Sequence, residues 1–186
     1  MEAFYDKAGT AALQTTELLP ALNYHKSLSN DHSSYLSVGF MGGIVEKTID
    51  LSKVTTNNQY NGAAYDPDLP TGEVIRTPNI RYLDGSLGIN YNAAYGPDNK
   101  NSMYVGFAYH HLNRPKNSFY ANPTVELDPK VVLSLGLRSI INEYSYFTIQ
   151  ADWSRQGPDQ ETIGGVLYSY RLGEDADQYL YTFTIG

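Results

Sequence analysis

The stretch Leu83 to Tyr95, LDGSLGINYNAAY, limits the possible folds more than any other part of the chain. Its odd positions are Leu83, Gly85, Leu87, Ile89, Tyr91, Ala93 and Tyr95; its even positions are Asp84, Ser86, Gly88, Asn90, Asn92 and Ala94. One parity is apolar and ends in tyrosines, while the other is small and polar. A strand points successive side chains to opposite faces, so the pattern predicts a two-faced β-strand. Strands of soluble proteins usually run about 5–6 residues. At ~3.3 Å per residue and a tilt near 40°, Leu83 to Tyr95 rises about 33 Å, enough to cross an apolar band of ~25 Å.

The same alternation recurs along the chain. Met1 to Lys7 reads as the end of a strand. Leu13 to Leu28 reads as one strand with Pro20 inside it, where the missing N–H predicts a bulge or irregularity. Tyr35 to Ile49 carries Leu36, Val38, Phe40 and Ile44 on one face. Ser102 to His111, Lys130 to Ile140, Tyr144 to Ser154, Thr162 to Leu172 and Tyr179 to Ile185 complete the set. Leu87, Ile89, Leu133, Leu135, Ile149 and Val166 are expected on one continuous apolar face. Asp84, Asn90, Asn92, Arg138, Gln150, Asp152 and Arg171 are expected on the other, lining a wet or plugged lumen. Antiparallel neighbours place the connections near residues 8–12, 50–81, 112–129 and 155–161 at one end. Those near 29–34, 96–101, 141–143 and the acidic turn 173–178 fall at the other. Both long connections share one end, as in outer-membrane barrels with long external loops and short periplasmic turns. The expected fold is an all-β, antiparallel, up-and-down transmembrane β-barrel. About 8–9 strands are countable and single-chain bacterial barrels close with an even number, so an incomplete barrel is expected.

Composition bears on this in three places. The 186 residues suit one domain, and a mean hydropathy of −0.40 without any long apolar run excludes a membrane helix but not alternating strands. The 17 tyrosines suit interfacial girdles, where an apolar ring carries a polar tip. A net charge of −7 argues against a nucleic-acid partner, and the absence of cysteine removes disulfides, thiol catalysis and Cys-based metal sites. Met1 to Gly9 has neither a positive nor an apolar signal region, which counts against an exported barrel unless the chain is a fragment.

Four segments carry a family resemblance: Tyr24-His25-Lys26-Ser27-Leu28; Tyr65-Asp66-Pro67-Asp68-Leu69-Pro70-Thr71-Gly72-Glu73; His111-Leu112-Asn113-Arg114-Pro115; and Gly136-Leu137-Arg138 through Ala151-Asp152-Trp153. They resemble the PorP/SprF family of the type IX secretion system of Gram-negative bacteria, some of which glide. The resemblance implies a non-enzymatic outer-membrane β-barrel that serves secretion or surface attachment of cargo proteins; members of the family are longer at both ends, so residues 1–186 are expected to be a fragment of a single outer-membrane barrel domain, lacking the signal peptide, first strands and C-terminal strands. It also implies partners among other outer-membrane and periplasmic secretion proteins, the cargo, and the lipid bilayer. Two other readings stay open here: an outer-membrane channel, and a soluble β-sandwich binding module.

The residues themselves supply no catalytic signature. No Gly-x-Ser-x-Gly or phosphate loop is present, and no cofactor is expected. Asp66, Asp68 and Glu73 do not have EF-hand spacing, and Asp175 with Asp177 reads as a solvated turn. His110 and His111, adjacent on a strand, are expected to face opposite sides. The partner-binding function is placed on the 50–81 loop, at Tyr60, Tyr65, Asp66, Pro67, Asp68, Pro70, Thr71, Gly72 and Glu73, with Asn113, Arg114 and Pro115 from the second loop; the alternative is that the 50–81 segment folds into the lumen as a plug or caps the barrel. Three prolines (Pro67, Pro70, Pro78) stiffen the first loop, and Tyr60 and Tyr65 offer large contact area with few rotors.

Overall fold

The computed structural model describes residues 1–10, 12–122, 124–172 and 181–185. It contains β1 (Glu2–Ala8), β2 (Leu13–Leu19), β3 (Ala21–Ser27), β4 (Ser34–Thr48), β5 (Asn79–Tyr95), β6 (Asn101–His110), β7 (Lys130–Ile140), β8 (Ser145–Gln156), β9 (Asp159–Leu172) and β10 (Tyr181–Ile185). Three short 3₁₀ turns interrupt the connections, and no described helix is long and apolar enough to cross a membrane. The strands form one antiparallel, up-and-down sheet in the order β1-β2-β4-β5-β6-β7-β8-β9-β10, with β3 beside β4. Among the described residues no pairing joins β1 to β10, so the sheet is open.

All nine expected strand segments are present, with four corrections. Leu13 to Leu28 is two strands, broken at Pro20, which raises the total to ten. β5 begins at Asn79, four residues before Leu83. The expected 155–161 connection is the two-residue turn Gly157-Pro158, with Gly157 at φ 56°. Positive φ followed by proline has the φ signs of a type II′ turn, whose twist suits a hairpin. Finally, β6 ends at His110, and His111 sits beyond it at φ 59°, so strand alternation does not place its side chain. The acidic turn with Asp175 and Asp177, and Tyr179, lie outside the described residues.

By its internal contacts the chain divides into two compact units. The first comprises Met1–Ala21, Met41–Gly85 and His111–Asp128. Here β1 pairs β2 from Glu2↔Leu19 to Ala8↔Leu13, and β2 pairs β4 from Gln14↔Thr48 to Leu18↔Ile44. Pro20 has no N–H for the ladder, and its carbonyl instead accepts from Gly42 N at 3.1 Å. At the same place a Cβ on Gly43 would run into the Leu18 carbonyl, so only glycine lets the two backbones approach. Val45 is the one large side chain fully buried among the described residues.

The second unit comprises Leu22–Phe40, Ser86–His110 and Pro129–Gly186. Its registers line side chains up into rows. Ile89, Phe107, Leu133 and Trp153 follow one another across four strands, as do Met103, Leu137, Ile149 and Val166 two rows on. These apolar rows are exposed except at the half-buried Trp153, with Val166 at 56%. The opposite face carries Asn92, Tyr104, Gly136 and Gln150 in one row, and Asn90, Gly106, Ser134 and Asp152 in the next. There the Ser134 hydroxyl donates to Asp152 Oδ1 at 2.5 Å, and the Tyr104 ring lies in the space a Gly136 side chain would fill. The buried polar side chains include Ser37, Ser86, Ser145 and Ser169, the last only 3% exposed. The expected facing of Leu87, Ile89, Leu133, Leu135, Ile149 and Val166 is found: all six are exposed, and no second sheet covers them. Phe147, Tyr168 and Tyr170 close the apolar rows near the β7–β8 turn, with Phe147 and Tyr168 rings 5.2 Å apart.

This polarity yields a direct test. Leu135→Arg places a charge in the middle of the exposed apolar rows and is expected to cost about 2–4 kcal/mol in phospholipid vesicles. Gln150→Arg, one strand away on the polar face, should cost a small fraction of that. Urea unfolding from vesicles measures both, and equal losses would contradict a lipid-facing role for the Leu135 side.

Candidate partner-binding loops

The connection between β4 and β5 is long but internally built. Its base is closed by Ile49 N donating to the Pro78 carbonyl at 2.8 Å. Asp50 then caps the first 3₁₀ turn: its Oδ1 accepts from Ser52 Oγ at 2.6 Å, and its Oδ2 meets Lys53 Nζ at 3.0 Å. The Ser52 hydroxyl and then the Lys53 ammonium hold the Asp50 carboxyl below the usual carboxylate range. A second turn starts at Thr56, whose N–H donates to Gln59 Oε1 at 3.1 Å. The Thr56 hydroxyl reaches across to the Thr71 carbonyl at 2.5 Å, and Asn58 Nδ2 donates to the same oxygen at 3.3 Å. The excursion 60–70 is thereby tied at its neck.

Inside that excursion Asp66 N donates to the buried Gln59's carbonyl at 2.8 Å, and Tyr60 and Tyr65 form an antiparallel bridge. Asp66 Oδ1 accepts from Asp68 N at 3.0 Å, an Asx turn that fixes the Pro67 corner. Gly72 has φ 75°, and a Cβ there would collide with the Asn58 amide, so the neck depends on glycine at this point. Tyr60 and Tyr65 are both more than half exposed, and Pro67, Asp68, Pro70, Gly72 and Glu73 are exposed beside them. Between Val54 and Ile75 the loop has three carboxylates and neither lysine nor arginine, so its surface is negative.

The second loop, between β6 and β7, docks on the first. The Phe119 carbonyl accepts from Arg76 N at 3.0 Å, Thr77 N at 3.1 Å and the Thr77 hydroxyl at 3.2 Å. Tyr120 OH donates to Glu73 Oε2 at 2.9 Å. Lys47 Nζ donates to Asn117 Oδ1 at 3.4 Å. At its entry His111 Nδ1 lies 2.7 Å from Asp84 Oδ2. His110, on β6, lies 3.1 Å from Ser86 Oγ, two residues along the same face of β5 as Asp84.

The expected site residues therefore sort into two groups. Tyr60, Tyr65, Pro67, Asp68, Pro70, Gly72 and Glu73 present surface, while Asp66 and Thr71 are engaged in holding the loop's shape. Asn113 and Arg114 are exposed, but Asn113 Nδ2 donates to the Leu83 carbonyl at 2.7 Å and Pro115 is buried. The loops meet through Glu73, Arg76 and Thr77 against Phe119 and Tyr120, of which the sequence pattern singles out Glu73 alone. The Thr56-x-x-Gln59 spacing of a capping box was a usable local signal. The Glu73–Tyr120 contact, 47 residues apart, had none.

Compared with known families, the chain is matched over residues 1–173 by the model described as type IX secretion system membrane protein PorP/SprF. No curated protein and no solved structure matches it.

The hydrogen bond to Glu73 raises the Tyr120 phenol above the ordinary tyrosine value of about 10, since ionising it would put two anions together. A raised folded value means the contact stabilises the loops fully below the ordinary value, and is lost as pH rises through the raised one. Ultraviolet difference titration of wild type against Tyr120→Phe should show one late tyrosinate step, and Glu73→Gln should move that step down. Identical titrations for all three proteins would refute the contact.

Proposed function

Since the chain belongs to the PorP/SprF family of type IX secretion system membrane proteins, we propose that it works without catalysis as an outer-membrane β-barrel component of that system. Its sheet forms part of a single barrel domain, and its two docked loops capture a protein partner during secretion or surface attachment of cargo. In bacteria that glide, the same step serves motility proteins. The partners are other outer-membrane and periplasmic secretion components and the cargo itself, with lipid against the apolar rows.

The observation that carries this reading is the inverted polarity of the sheet, together with an ordered loop pair. Apolar rows with serines buried behind them suit a hydrocarbon solvent, and strands are one of only two ways to cross it. Loops of this length are usually functional or disordered, and this one is held by its own bonds. Exposed tyrosines on a stiff backbone give a partner contact area with little rotor entropy to lose. The carboxylates Asp68 and Glu73 favour a basic partner surface.

Deleting Gln59 to Gly72 in the cell should leave membrane insertion intact and abolish cargo secretion. Insertion is followed by heat-modifiable gel migration and secretion by cargo in the medium or on the surface. If secretion persists and pore conductance in planar bilayers rises, the segment is a plug and the capture role is wrong.

A further inference from the structure

We propose that the hollow at the neck of the first loop, lined by Leu51, Val54, Thr71, Glu73 and Ile75, seats a lysine side chain of the captured partner; this rests on the capture role given to the loops. The hollow measures about 110 Å³. Small-molecule pockets run to about 300–1,000 Å³, so this one suits a single side chain rather than a separate ligand. Its walls come from two stretches of one connection. Leu51 and Val54 belong to the first 3₁₀ turn and the residue after it, and Thr71, Glu73 and Ile75 to the returning segment. The bonds from Thr56 and Asn58 to the Thr71 carbonyl tie the two stretches together, so the hollow is in place before a partner arrives.

Three of the five lining residues are aliphatic and one is a carboxylate. Val54 and Ile75 are half-buried, while Leu51 and Glu73 are exposed. This combination suits a side chain with an apolar stem and a positive tip, which lays its methylenes on apolar surface and keeps its charge in water. A purely aliphatic side chain would gain nothing from Glu73, and an acidic one would be repelled. The charge of Glu73 is available, since among the described residues it makes no ion pair. Lys53, the basic residue of the neighbouring turn, is held by Asp50 at 3.0 Å.

The preference for lysine over arginine follows from Tyr120, whose OH donates to Glu73 Oε2 at 2.9 Å. A guanidinium fork takes both carboxylate oxygens and would have to displace the phenol, whereas an ammonium is a point charge that needs one. Lysine and Tyr120 still draw on one carboxylate and oppose each other there. The Thr71 hydroxyl oxygen, which accepts from Glu73 N at 3.4 Å, has a second lone pair for the ammonium.

The test uses the whole chain in detergent micelles, with leucine, valine and isoleucine methyl groups labelled for NMR. N-acetyl-lysine amide, N-acetyl-arginine amide and N-acetyl-norleucine amide are titrated separately at constant ionic strength. Saturable shifts of the Leu51, Val54 and Ile75 methyls are expected, tightest with the lysine probe. Glu73→Gln keeps an acceptor for Tyr120 but removes the charge, and should weaken lysine binding about threefold, the scale of an exposed ion pair. Val54→Phe fills the hollow with Glu73 still present, and should abolish saturation. Shifts that do not saturate, arginine or norleucine binding as tightly as lysine, or a titration unchanged by Glu73→Gln or Val54→Phe would overturn the proposal. The order of the three probes on the wild-type chain decides the matter even if a variant fails to fold. A failed titration, with secretion still lost on deleting Gln59 to Gly72, removes the lysine seat and leaves the capture role standing. Secretion that survives that deletion removes both.

Discussion

The backbone ladder is the constraint on which the rest depends. From β5 to β9 the strands pair residue by residue with their neighbours, Leu87–Tyr95 of β5 on β6 and the whole of β8 on β9, so the peptide groups between them are satisfied within the sheet. In a medium without water an unpaired N–H or C=O costs several kcal/mol, and a continuous ladder removes that cost before any side chain is considered. Side chains are then sorted by solvent alone. Val166, Ile149 and Leu135 lie outward and Ser86 and Ser169 inward. In water this arrangement would forfeit roughly 25 cal/mol for each Å² of apolar surface left wet, with little buried core to offset it. Surrounded by lipid, the same surface carries no such penalty.

Where the ladder fails, the chain repairs it with backbone rather than side chains. Pro20 has no donor, so β2 ends at Leu19 and β3 starts at Ala21, both alongside the one long strand β4. Gly42 N turns to the Pro20 carbonyl, and Gly43 gives room for the Leu18 carbonyl. The break at Pro20 therefore depends on one glycine of the neighbouring strand, and a larger residue at Gly43 would reopen it. Glycines inside a strand signal a bend or a close approach, but the sequence does not say which residue approaches.

The fold was legible because period-two alternation is local and survives in every long strand. Its failures are physical. Asn79 to Tyr82 carries Ile80 and Tyr82 on the parity of Asp84 and Ser86, opposite to the apolar parity that begins at Leu83, so β5 was cut short there. Gln156, Asp159, Gln160 and Glu161 look like loop residues, yet they pair as strand ends and leave only Gly157-Pro158 to turn. His111 left the strand through a positive φ, which histidine rarely announces. In the loops, tyrosine, proline and acid content located an exposed surface. The same composition misplaced Pro115, whose burial reflects a three-dimensional neighbourhood that spacing does not encode.

The way the two loops are joined separates scaffold from recognition. Three of the bonds between them end on a single backbone carbonyl, that of Phe119, and two of those come from backbone N–H groups at Arg76 and Thr77. Backbone bonds do not depend on which side chains are present, so the docking can persist while exposed residues change. Tyr60, Tyr65 and Asp68 sit beyond this joint, on an excursion tied by Thr56, Asn58 and Thr71. Their side chains can therefore vary with the partner without unfastening the platform. Glu73 is the exception, because its carboxylate both holds Tyr120 and contributes to the negative surface. A basic group that engaged Glu73 would compete for the oxygen that Tyr120 uses. On this reading partner capture and loop docking are coupled at that one residue, and independent of each other elsewhere.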